Sequence, residues 1–90
     1  MIKAQRQFQQ GGLPMRTVKV SINSIDKVKA FVNIVNSFDS DFDLVSGRFV
    51  IDAKSIMGIF SLDLSKPITL NIYNDDDSII MENLKPFIIE

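Results

Sequence analysis

A change of hydrophobic period between Thr17 and Phe38 restricts the possible folds more than any other feature of this chain. From Thr17 to Ile22, apolar Val18, Val20 and Ile22 alternate with polar Lys19 and Ser21, the pattern of a half-buried strand. Asn23-Ser24 then offers a helix N-cap, and Ile25, Val28, Phe31, Val32, Val35 and Phe38 recur at helical spacing. The β-branched residues in that run lower helix propensity, but the regular stripe outweighs them. A strand and a helix that follow each other this closely, each apolar on one side, cover one another.

The rest of the chain repeats the alternation of periods. Ser37 to Asp41 is a polar break, and Phe42–Val45 and Arg48–Ile51 read as strands about a Ser46-Gly47 hairpin turn. After a turn at Ser65-Lys66-Pro67, Ile68, Leu70 and Ile72 alternate with Thr69, Asn71 and Tyr73 to give a fourth strand. Asn74-Asp75-Asp76-Asp77 is a turn, and Ser78–Lys85 carries Ile80, Met81 and Leu84 on one helical face. Pro86 ends that helix near Lys85, and Phe87-Ile88-Ile89 is an apolar tail expected to pack back on the domain. With a helix from the Ser55 region added, the order is βαββαβα. The fold class is α+β, a four-stranded antiparallel sheet with helices on one face, because four short strands cannot bury both faces unaided.

Ninety residues make one small domain. A formal charge of −1 gives no basic footprint for nucleic acid, and no apolar run approaches the roughly 20 residues that span a bilayer. Cysteine is absent, which removes disulfides and thiolate metal sites, and histidine is absent, which removes the commonest general base and metal ligand. No cofactor, metal or catalytic constellation is expected, and the chain reads as a non-enzyme.

Residues 1–14 differ from the remainder: four glutamines and Gly11-Gly12 stand among few large apolar residues, the composition of a disordered lead. Gln10-Gly11-Gly12 can also be encoded by a purine-rich ribosome-binding sequence, with Met15 as the natural start. The domain is accordingly expected over residues 15–90, and an intact mass that includes Met1 would remove the second reading of the lead.

Within Asp52–Leu64, Ser55 is a natural N-cap, and Ile56, Ile59 and Phe60 repeat at i, i+3 and i+4 behind it. Gly58 costs roughly 0.5–1 kcal/mol against alanine in a helix and suggests a close approach. Ile56, Met57, Ile59, Phe60 and Leu62 are too many large apolar residues for one side of so short a helix, so some are expected at the surface. Methionine suits an adaptable contact surface, although an isolated methionine more often fills a core gap.

Lys54-Ser55-Ile56-Met57-Gly58 followed by Ser61-Leu62 resembles the regulatory serine site of HPr, the phosphocarrier of the phosphoenolpyruvate-dependent sugar phosphotransferase system, and the similarity runs from about Val18 to Leu84. The resemblance implies an open-faced sandwich, a cytoplasmic protein, phosphorylation of Ser55, and docking of protein partners on Lys54, Ile56, Met57 and Phe60. HPr kinase and a transcriptional regulator are the partner classes it suggests, with no nucleic acid and no membrane. In the family, a histidine at the start of the first helix carries phosphate, followed by an arginine and a proline. Ungapped counting from Ser55 puts Ser24 at the histidine and Asp26 at the arginine; a shorter loop puts Ile25 or Asp26 there. Either register leaves no imidazole, and Asp26 repels an anion. Ser24 or Asn23 as an N-cap and Asp26 as a first-turn acid is the plainer reading.

The regulatory module is therefore the first expectation, catabolite repression being the precedent for HPr-like proteins that lack the histidine and keep the serine. A divergent phosphoryl carrier using another residue of the first-helix loop, and an unmodified adaptor, are the alternatives. Asp75-Asp76-Asp77 lacks the ligand spacing of a calcium loop and reads as a solvated turn. Asp39, Asp41 and Asp43 alternate, which sets them on one face, read as a solvated rim rather than a weak cation site.

Overall fold

The computed structural model describes residues 16–74 and 78–89. The expectations for residues 1–14 and for the Asp75-Asp76-Asp77 turn lie outside these residues. Seven elements follow one another: β1 (Arg16–Val20), α1 (Ile25–Asn36), β2 (Asp41–Ser46), β3 (Phe49–Asp52), α2 (Ile56–Ile59), β4 (Ile68–Tyr73) and α3 (Ser78–Leu84). The strands form one antiparallel sheet in the order β1-β4-β2-β3, so the last strand in sequence lies inside the sheet and β1 and β3 are its edges.

Register turns the strand alternation into a continuous apolar layer. Val18 faces Leu70, Leu70 faces Leu44 and Leu44 faces Ile51, one row across all four strands, and every member is buried. The helices close over this side with Val28, Phe31, Val32 and Val35 from α1, Ile59 from α2, and Ile80 and Leu84 from α3. A fully buried large side chain contributes about 1.5–3 kcal/mol of transfer free energy. Repeated over this layer, that is the main force holding the helices to the sheet.

The apolar tail packs as expected. Phe87 is buried and meets Phe31 edge to face, centroids 5.9 Å apart at 82°. Ile88 bridges Val20, the Ser21 N–H donates to the Phe87 carbonyl at 2.8 Å, and the Ile89 N–H donates to the Lys19 carbonyl at 2.9 Å. The tail thus runs along the end of β1 and covers part of a sheet edge that would otherwise offer unpaired backbone groups.

Several boundaries differ from the sequence expectation. β1 stops at Val20, because the chain turns its next N–H to the tail; Ile22 nevertheless stays buried. The hairpin pairs Ser46 with Phe49, so the loop is Gly47-Arg48 rather than Ser46-Gly47, and Gly47 takes φ 62°. Glycine with positive φ at the first loop position suits a two-residue hairpin turn. Phe38 lies beyond the helix it was assigned to, since Ser37 caps α1. Ile25, expected on the buried stripe, is 61% exposed at the first helical position. Among the described residues no helix is long and apolar enough to cross a membrane.

Candidate functional site

Ser55 is placed by the turn that joins β3 to α2. The Asp52 carboxylate accepts the Lys54 N–H at 3.0 Å, and the Asp52 carbonyl accepts the Ser55 N–H at 2.9 Å. Both bonds reverse the chain so that Ser55 arrives in an extended conformation, φ −97° and ψ 99°. Its Oγ accepts the Gly58 N–H at 3.2 Å, satisfying one of the donors that a helix start leaves unpaired.

α2 is a single turn, and this decides where its apolar residues go. Ile59 is fully buried, Gly58 is buried, and half-buried Ile56 packs on the core. Phe60, expected on the same buried stripe, instead caps the helix and is 43% exposed. The chain turns away there, with the Ser61 N–H donating back to the Gly58 carbonyl, so the periodicity that would have carried Phe60 inward ends. Met57 is 78% exposed. Three residues apart, Met57 and Phe60 leave an open apolar surface beside the capping serine.

The Lys54 ammonium is engaged within the domain. Its Nζ donates to the Phe38 carbonyl at 2.7 Å and stands 5.8 Å from the centroid of the Phe42 ring. A sequence reading has no means of seeing this contact, which spans sixteen positions.

At the other end of the fold's first crossover, Ser24 is the N-cap of α1. Its Oγ accepts the Lys27 N–H at 3.2 Å, and the Lys27 ammonium donates to the Asn23 side-chain oxygen at 3.1 Å. Asp26 sits exposed in the first turn, where a carboxylate favours the positive end of the helix dipole. The hydroxyl, the carboxylate and the lysine are engaged in or suited to starting a helix. Ser24, Ile25 and Asp26 present no ring nitrogen that could accept a phosphoryl group.

The acidic alternation resolves differently from its expectation. Asp39 and Asp41 are exposed, but Asp43 is fully buried. β2 lies inside the sheet, and Asp43 is flanked in register by Asn71 of β4 and Asp52 of β3, whereas a lone strand would have left it at a solvated rim. Among the described residues no three acidic side chains gather in a way that could hold a metal ion. The burial of Asp43 has no counterpart in its sequence pattern, which is that of an exposed acid.

Comparison with known proteins adds a family to this geometry. The family model described as the PTS HPr component phosphorylation site matches residues 26–90. HPr-C-His from Thermoanaerobacter tengcongensis has a similar structure, with a TM-score of 0.67 and 26% identity, covering 80% of this chain and 89% of the other. The phosphocarrier protein HPr of Bacillus anthracis is also similar, with a TM-score of 0.55 and 28% identity, covering 79% and 87% respectively. No curated protein sequence matches the chain.

Proposed function

The chain belongs to the HPr family of the phosphotransferase system, and from that membership we propose that it is a cytoplasmic regulatory module rather than a histidine phosphocarrier. In this reading it binds protein partners through the surface around α2, and Ser55 is its modification site. The observation that carries the reading is the combination at α2: a capping hydroxyl next to Met57 and Phe60, both open to solvent. The absence of histidine from the sequence removes the acceptor of the usual phosphocarrier reaction. Ser24 and Asp26 supply no equivalent of it.

In the modification step, the Ser55 Oγ attacks the γ-phosphorus of ATP, the bond to ADP breaks, and the hydroxyl proton passes to a base of the kinase. The phosphate brings close to two negative charges and three acceptor oxygens to a place where helix N–H groups and the positive dipole end are concentrated. It is therefore tolerated by the fold while it adds negative charge beside an apolar docking face. Met57 and Phe60 supply the contact area, Ile56 packs on the core, and the Lys54 ammonium is engaged by the Phe38 carbonyl. A transcriptional regulator is the partner class that fits a switch of this kind.

Two incubations followed by mass spectrometry test the reading. With HPr kinase and ATP, one phosphate is expected on Ser55. With phosphoenolpyruvate and the general phosphotransferase enzyme, no phosphoprotein is expected. A stoichiometric phosphoprotein in the second reaction would overturn the regulatory reading and establish a divergent carrier in the first-helix loop. An unmodified Ser55 in the first would leave only an adaptor.

A further inference from the structure

The last turn of α1 contains no basic residue, so the negative end of its dipole has no cation from its own helix. Lys54 brings one to the connection that follows α1. Its ammonium donates to the carbonyl of Phe38, two residues past the end of α1, and lies over the Phe42 ring. Phe38 and Phe42 are in ring contact, centroids 6.4 Å apart, so the ammonium joins the α1–β2 connection to the turn that precedes α2. On its backbone side Lys54 is held by Asp52, whose carbonyl also fixes Ser55. Lys54 is thus anchored at both ends, and the next residue is the serine that caps α2.

We propose that Lys54 is a positioning residue for Ser55: its ammonium ties the β3–α2 turn to the end of α1, so that the capping hydroxyl is held in one geometry for the enzyme that phosphorylates it. This rests on the reading of Ser55 as a phosphoacceptor. The cation faces the protein's own backbone and not a partner, so its loss lowers turnover and leaves binding in place. Methionine keeps the length and apolar packing of the stem without the charge, whereas arginine keeps the charge and reaches the same carbonyl.

The wild type, Lys54→Met and Lys54→Arg are compared in two measurements. Amide hydrogen exchange followed by NMR reads the Gly58 N–H, which Ser55 accepts; in Lys54→Met its exchange quickens about tenfold and in Lys54→Arg it returns towards wild type, while Leu70 keeps its protection. Unchanged exchange at Gly58, or an equal loss at Leu70, overturns the tether. In phosphorylation by HPr kinase, Lys54→Met lowers kcat about tenfold with KM within about twofold, and Lys54→Arg restores most of the rate. A raised KM at unchanged kcat overturns the proposal, because it makes Lys54 a direct partner contact. If the kinase leaves wild-type Ser55 unmodified, the phosphoacceptor reading falls by itself, and Gly58 exchange alone decides the tether.

Discussion

The Ser55 hydroxyl accepts the Gly58 N–H at 3.2 Å, so the oxygen that starts α2 is the same oxygen that the proposed function assigns as the phosphoacceptor. Ser55→Ala removes the cap and is expected to cost about 1 kcal/mol, read as a lower urea midpoint at unchanged slope. Ser55→Asp keeps a good capping acceptor and stays close to wild type in the same measurement. Only the alanine and aspartate variants together separate capping from modification, since both abolish labelling by HPr kinase.

Met57 is the most exposed apolar residue of α2, and Phe60 shares its side. Met57→Asp removes little packing, and its stability is expected within about 0.5 kcal/mol of wild type. If the proposed docking face is used, the same substitution weakens the complex with HPr kinase by about 1–2 kcal/mol, measured by calorimetry or as KM. A variant that binds and reacts normally would remove Met57 from the docking surface.

Phe87 holds the tail against α1 through Phe31. Phe87→Ala is expected to cost about 3 kcal/mol, because it leaves a cavity under the tail and loosens the strap along β1. Equilibrium urea unfolding measures the loss. Faster amide exchange at Ser21, whose N–H donates to Phe87, places that loss at the sheet edge.

Gly47 has φ 62°, and nothing stands within 4 Å of the position a Cβ would occupy. Gly47→Ala therefore isolates backbone strain from crowding and is expected to cost about 1–2 kcal/mol by urea unfolding. Gly47→Asn, which tolerates the left-handed region better, is expected to cost less.

The Asp63 carboxyl is held below its ordinary 3.8 by the Ser65 hydroxyl and then by the Ser65 N–H, with desolvation acting the other way and the charge of Lys66 adding least. A folded-state pKa below the unfolded one stabilises the protein fully above pH about 4, and this stabilisation is lost as pH falls through the folded value. Asp63 is fully exposed, so solvent screens the effect. NMR titration of the Asp63 side-chain carboxyl is expected to show a midpoint below 3.8 that rises towards it in Ser65→Ala.

The seven elements and the Ser55 cap were legible in the chain because each rests on local chemistry. Alternation, a 3.6-residue stripe, a capping hydroxyl and a turn glycine act over a few residues, and burial then follows one face. The apolar tail was legible for the same reason, since Phe87 and Ile88 had no helix left to continue. Other features depend on which strand lies beside which. Asp43 reads as an exposed acid until β2 is set between β4 and β3. Phe60 reads as part of a buried stripe until α2 proves to be one turn long. The partner of the Lys54 ammonium is a backbone carbonyl, a group every residue carries, so no residue type at position 38 signals it; only the packing of α1 against the turn before α2 brings the two together.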